Sequence, residues 1–342
     1  PNTLALSMYK DLISDEIWRI QRKNYGYSDV FPNVLIFSFG GMPFVDLRTD
    51  INSFLPNNLL KNTKEIIVNK YLNILSKNTF LHDKIEFEVV ETCYSLNSKK
   101  RLKLIFDKRI LNEYLHSLRD LTINIFKKKL LENDITKINE FKNKIIELEN
   151  NSKNYIQKIF FVNKITKQLG TLSFAGIARC AFISQRILID LKENNLITNK
   201  EYDDFFNSIP NITDEIKNDY NKHIKHKISK AIFLKKYGHL RPQTYEINSL
   251  NYKEGFKLYF DKNISSQNNR KKRKNIFKRQ NDINKVLKKN LDITFSEFLD
   301  FSKKSIYWRE KSKYYFTIGV DKIFENLINL GKSIKIKRKD LS

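Results

Sequence analysis

The stretch Lys108-Arg109-Ile110-Leu111-Asn112-Glu113-Tyr114-Leu115-His116-Ser117-Leu118-Arg119-Asp120-Leu121 places Leu111, Leu115, Leu118 and Leu121 three or four residues apart. That spacing makes one stripe of a helix apolar and leaves the rest polar. It resumes at Ile138, Phe141, Ile145 and Leu148. Farther on, Ser173 to Leu191 carries only Arg179, Arg186 and Asp190 as charges, the composition of a buried helix. Thr198-x-x-Glu201 and Thr294-x-x-Glu297 are capping boxes. The second opens a long aromatic-rich helix or helix pair that runs to Gly331, and Ile228 to Tyr237 reads as a helix ended by Gly238.

Working back towards the start, Leu6 to Gln21 predicts a helix. Val34 to Phe39 and Phe44 to Leu47 flank Gly40-Gly41-Met42-Pro43 as the arms of a hairpin. Ile85 to Glu91 alternates apolar and acidic residues and predicts a third strand. The expected fold is mainly α with a small N-terminal β-hairpin or sheet, an α+β arrangement. We divide it into residues 1–107, a helix plus the β element, and 108–342, a helical domain with a basic loop at about 262–290. One continuous domain is the alternative.

Glycine and proline, 9 and 6 among 342 residues, are too few for an all-β domain full of tight turns. The net charge of +25 could attract nucleic acid, anionic membrane or phosphorylated ligands, and it does not choose among them. Ten basic residues from Arg270 to Lys289 stand against the single Asp282 and hold nine of those 25 charges. A nucleic-acid-binding module is therefore one competing reading, although no interleaved aromatic residues or known module accompany the cluster. Cys93 and Cys180 lie far apart without metal-ligand spacing, which points to a reducing, cytoplasmic setting. No apolar run approaches the roughly 20 residues of a bilayer span, so no membrane partner is expected. The start Pro1-Asn2-Thr3 leads us to expect a piece of a longer chain.

Chemistry concentrates in Tyr237-Gly238-His239-Leu240-Arg241-Pro242-Gln243-Thr244-Tyr245-Glu246, which packs an imidazole, a guanidinium and a carboxylate into a turn after a helix. An Arg can grip phosphate or carboxylate through paired hydrogen bonds, and a nearby Glu can take a proton. The bland alternative is a buried polar knot in which Arg241 pairs with Glu246 and His239 bonds to backbone. Arg179 and Arg186 share a helix face and either line a cleft or form structural salt bridges. His223-x-x-His226 has chelating spacing but lies among lysines, so no metal site is expected. Arg48 and Asp46 are a structural pair beside the hairpin, with Arg48 a further anion candidate.

Three strings carry a family resemblance: Ser38-Phe39-Gly40-Gly41-x-Pro43-x-Val45-Asp46-x-Arg48; Gly170-Thr171-Leu172-x-Phe174-Ala175-x-x-Ala178-Arg179-x-Ala181-Phe182; and Tyr237 to Glu246 continuing through Ile247-x-Ser249. Together with Arg309-Glu310-x-Ser312-Lys313 near the end, the chain resembles the central region of phosphoenolpyruvate-utilising enzymes, a family that includes phosphoenolpyruvate synthase and rifampin phosphotransferase. The resemblance implies a helical middle domain that holds an acceptor while ATP phosphorylates a histidine on a swivelling domain. It implies ATP and Mg²⁺ for the complete enzyme, neither bound by this region, and ATP-grasp and phosphohistidine domains plus a small-molecule acceptor as partners. On that reading Arg241, Arg179, Arg186, Tyr245, Thr244 and Arg48 bind substrate or phosphate, and His239 or Glu246 orients or deprotonates the acceptor. The turn at His239 to Glu246 should face a cleft shared with the helix after Gly170. A purely structural helical scaffold is the third reading.

Overall fold

A computed structural model describes residues 2–149, 154–260 and 276–342. The expected first helix is broken in two. Helix α1 (Thr3–Tyr9) runs into a π-helical turn (Lys10–Ser14), and α2 (Ile17–Asn24) follows. The hairpin forms as expected from β1 (Ile36–Phe39) and β2 (Met42–Val45), with Phe37 opposite Phe44 and Phe39 opposite Met42. Gly40 and Gly41 have φ of +55° and +76°, the left-handed pair that a two-residue hairpin turn of primed type requires. Its arms are largely exposed on both faces.

Helices α3 (Leu47–Ser53), α4 (Lys61–Lys77), α5 (Ser98–Leu102) and α6 (Lys108–Lys127) enclose an apolar cluster that includes Ile51, Ile67, Tyr71, Leu102, Ile110 and Tyr114. Because α6 contributes Ile110, Leu111, Tyr114 and Leu118 to it, the apolar packing runs across the boundary expected at residue 107. The expected third strand is instead a π-helical turn, Ile85–Val89. Ile85 and Val89 are buried and Phe87 is half exposed. The only sheet among the described residues is the hairpin, and this segment pairs with neither of its edges. Its buried residues, four apart, are satisfied equally well by a helical turn.

Helices α7 (Leu130–Glu149) and α8 (Tyr155–Ile165) lead through a π-helical turn (Thr166–Thr171) into α9 (Leu172–Glu193). Then come α10 (Asn199–Ser208), α11 (Ile212–Ile224), α12 (Lys230–Tyr237), the short α13 (Phe256–Tyr259), α14 (Gln280–Leu291) and α15 (Phe295–Ser333). Both capping boxes are present, Thr198 with Glu201 and Thr294 with Glu297. The second opens one unbroken helix of 39 residues, not a pair. Helices α9 and α15 form the axis, and they approach closely where Ser184 Oγ and Ser305 Oγ meet at 3.1 Å in a fully buried contact. Small hydroxyl side chains let two helix backbones come together without a void.

The continuous helix Tyr155–Glu193 corrects the expectation of no span-like stretch, since part of it is long and apolar enough to cross a membrane by length and composition. Within this fold 56% of that stretch is buried, which is how a core helix meets the same criterion. Gly238 corrects a detail of the expectation for α12. Its φ is −61°, so it supplies no left-handed cap. A β-carbon there would instead collide with the Leu234 carbonyl oxygen.

Candidate functional site

Helix α9 is apolar enough to be buried along most of its length, so its two arginines need partners inside the protein. Arg179 reaches Glu86 at 2.6 Å, and its side chain is 5% exposed. The approach lies off the hydrogen-bonding direction, so Glu86 Oε1 and Arg179 Nη1 meet as charges while neither completes a hydrogen bond. The guanidinium lies over the rings of Tyr27, at 5.3 Å, and Phe54, at 4.9 Å. A second guanidinium, that of Arg22, sits 3.6 Å from the Phe54 ring centre and pairs with Asp50 at 2.8 Å. Arg179 is therefore built into the core, with attraction to aromatic faces added to its charge pairing.

Two turns farther along α9, Arg186 pairs with Asp190 at 3.2 Å. Asp190 has no solvent exposure, and it also accepts from Arg101 Nη1 at 2.9 Å and the Asn97 backbone N–H at 2.7 Å. Arg101 in turn grips Glu91 with two bonds, Nε at 2.8 Å and Nη2 at 2.6 Å, a charge-assisted fork. These pairs raise the Arg101 guanidinium further above its ordinary range, the carboxylates outweighing the opposing cost of burial.

Glu86, Glu91, Arg101 and Arg186 border a cavity of about 880 Å³. One wall is the turn from Glu86 to Cys93, another is Arg101 to Ile105, and a third is Phe182, Gln185, Arg186 and Ile189 of α9; Arg309 of α15 stands at the side. Phe87 and Phe182 meet edge to face at 4.6 Å, and the Arg309 guanidinium lies 5.9 Å from the Phe182 ring. Leu104 is 87% exposed, an apolar side chain left facing water beside this opening. The volume suits a small organic molecule, with apolar walls and a few fixed charges. Cys93 is also on the wall, but burial pushes its thiol up to about 12, so it is no nucleophile at neutral pH.

The turn after α12 is not on this cavity's wall. His239 Nε2 lies 3.2 Å from the Tyr314 carbonyl, and the ring is edge-on to Tyr314 at 4.7 Å. Burial, with smaller contributions from the charges of Arg241 and Lys322, lowers its imidazole to about 4. A neutral ring that donates from Nε2 follows. Arg241 pairs with Asp321 of α15, not with Glu246, and also donates to the Ser249 carbonyl at 3.3 Å. Glu246 accepts from Asn2 at 2.6 Å and from the Asn248 backbone N–H at 3.0 Å. The expected knot is thus two separate anchors, one on α15 and one on the first residues of the chain. Tyr245 packs edge-on to Tyr9 at 5.5 Å, and Thr244 is half-buried in the same turn.

Asp46 and Arg48 do not pair through their side chains. Asp46 caps α3, accepting from the backbone N–H groups of Arg48 and Thr49, while the Arg48 guanidinium bonds Asn69 at 2.9 Å. An N-cap carboxylate satisfies helix donors first, which leaves its neighbour free to turn outward. The His223 ring packs among Tyr220, Phe233 and Phe256. Among the described residues no group of three or more His, Cys, Asp or Glu side chains gathers in a way that could hold a metal ion. Arg270 to Lys274 lie outside the described residues, whereas Lys278, Arg279, Lys285, Lys288 and Lys289 are exposed at and along α14.

Of the residues singled out from sequence, the structure brings only Arg186 to the cavity wall. Glu86, Phe87, Glu91, Arg101 and Arg309 join it there without having been marked as site residues. The alternation of Ile85 to Glu91 was the available signal, an apolar and acidic pattern that puts carboxylates next to a half-exposed Phe87. No family model, curated protein or solved structure matches this chain.

Proposed function

We propose that this chain is the acceptor-holding central domain of a phosphotransferase of the phosphoenolpyruvate-utilising kind, working with an ATP-grasp domain and a domain that bears a phosphohistidine. The observation that carries the reading is the cavity of about 880 Å³ against α9, the helix that begins in the Gly170-Thr171-Leu172 string and continues to Arg186. Phosphoryl transfer rests mostly on positioning and on cationic donors that meet charge on the transferred group. Arg186 and Arg309 lie on the cavity wall to supply them. Glu86 also lies on the cavity wall, and its pairing with the Arg179 guanidinium fixes that wall against α9. The roles expected for Arg241, Arg179, His239 and Glu246 become positional on this reading, since each is committed to packing or anchoring.

On this reading ATP and Mg²⁺ are held by the partner domains. Gly40-Gly41, which turns a hairpin instead of opening a helix, is given no phosphate-binding role.

The test is to express the complete reading frame that contains this chain, incubate it with radiolabelled ATP and look for acid-labile phosphohistidine. Label that is then discharged to a small-molecule acceptor, and is retained when Arg186 is replaced by Gln, is the expected result. An absence of phosphohistidine in the complete protein would overturn the proposal.

A further inference from the structure

We infer that the cavity takes a ligand with an apolar ring or chain and an acidic group, the acidic group lying against Arg186 and Arg309. The name acceptor for that ligand rests on the function proposed above; its chemistry rests on which groups of the wall have capacity left.

The carboxylates are spoken for. Both oxygens of Glu91 accept from Arg101, and one accepts from Ser98 as well. Glu86 faces the guanidinium of Arg179, and Glu88, also on the wall, lies beside Lys84 at 3.4 Å. A cationic ligand would have to displace one of these pairs.

The guanidiniums are less committed. Arg186 Nε is buried and has no hydrogen-bond partner, although five N–H donors are available on that group. Its one carboxylate, Asp190, is shared with Arg101 and a backbone N–H. Among the described residues Arg309 forms an ion pair with its chain neighbour Glu310 alone, at 2.9 Å, and its side chain is 36% exposed. Arg186 lies one helical turn from Phe182 on α9, the Arg309 guanidinium lies 5.9 Å from the same ring, and that ring meets Phe87. An acidic group bonded to both guanidiniums would place an attached apolar body on those rings. Planar guanidinium donors match a carboxylate, sulfonate or phosphate better than any neutral acceptor.

The probes are 8-anilino-1-naphthalenesulfonate and its uncharged counterpart N-phenyl-1-naphthylamine, titrated by fluorescence against the folded chain. They share an aromatic body and differ in the acidic group. The sulfonate should bind about tenfold more tightly than the uncharged amine, the gain of one charge-assisted contact. Arg186→Gln should weaken the sulfonate by about tenfold and the amine by less than about twofold, whereas Phe87→Ala should weaken both. Asp190 keeps Arg101 and Asn97 as partners in the Arg186 variant, and a melting curve checks its fold. If that variant does not fold, Arg309→Gln and the wild-type preference decide. Equal binding of the two probes, or an Arg186→Gln or Arg309→Gln loss that is the same for both, would overturn the inference. A missing phosphohistidine with the probe pattern intact would overturn only the phosphotransfer reading.

Discussion

Arg179 and Glu86 meet at 2.6 Å beneath the cavity, and the pair joins the axial helix α9 to the π-helical turn that forms the cavity's wall. Because the arginine is 5% exposed, its charge has no recourse to water. Arg179→Met should lower stability by about 3–5 kcal/mol, since it strands Glu86, and the double variant Glu86→Leu/Arg179→Met should recover a large part of that loss. Urea denaturation of both variants checks this. A double variant less stable than Arg179→Met would show that the charges are not what couples the two elements.

Asp134 of α7 lies against Gly176 of α9, accepting from the Tyr25 hydroxyl at 2.7 Å, with Lys137 at 3.7 Å. Burial raises its carboxyl from 3.8 to about 6, against the pull of Tyr25 and Lys137. The folded state therefore holds the proton more tightly than the unfolded chain does. Stability from this group is full below about pH 4 and is lost as the pH rises through about 6, by on the order of 2–3 kcal/mol. Asp134→Asn should remove that slope. Urea midpoints at pH 4.5 and 7 test it, and parallel pH profiles of the two proteins would contradict it.

His239 works in the opposite direction. Its imidazole falls from 6.5 to about 4, so the folded state disfavours the charged ring, and its contribution is complete above pH 6.5 and is lost as the pH falls towards 4. The size is on the order of 3 kcal/mol. Ring-proton NMR should give a midpoint near 4, and His239→Gln should flatten the acid limb of the stability profile. A midpoint near 6.5 would mean that the ring is solvated and the Tyr314 contact is not formed.

Two glycines of one string should differ sharply. At Gly176 a β-carbon would collide with the Asp134 carboxylate and lie 2.7 Å from the Tyr25 hydroxyl, whereas at Gly170 it would meet the Phe141 ring at 3.6 Å, an ordinary contact. Gly176→Ala should cost about 2–4 kcal/mol, and Gly170→Ala should change stability by less than about 1 kcal/mol. Thermal melts of the two variants suffice, and equal effects would refute the packing difference.

Much of the helical order is legible because it is decided locally. The stripe Leu111, Leu115, Leu118 and Leu121, the caps at Thr198 and Thr294 and the Gly40-Gly41 turn each depend on residues a few positions apart. Ile85 to Glu91 shows where local reading fails. Its alternation suits a strand, but a strand also needs a partner, and among the described residues this segment pairs with none. Likewise, the sequence marks Arg179, Arg186 and Arg241 as arginines in need of partners without saying which partners they have.

What the sequence by itself determined is the class of fold, the ends of the capped helices, the hairpin and the buried nature of α9. Periodicity and capping act within one element, and burial of α9 follows from its composition. Only the tertiary structure decided that Arg241 goes to Asp321, that Arg179 goes to Glu86 and that Arg186 borders a cavity with Phe87 and Arg309. With 38 acidic residues in the chain, no local rule selects a partner for a buried guanidinium. That choice is made by which apolar faces pack together, because packing alone brings residues distant in sequence within the few ångströms at which charges pair.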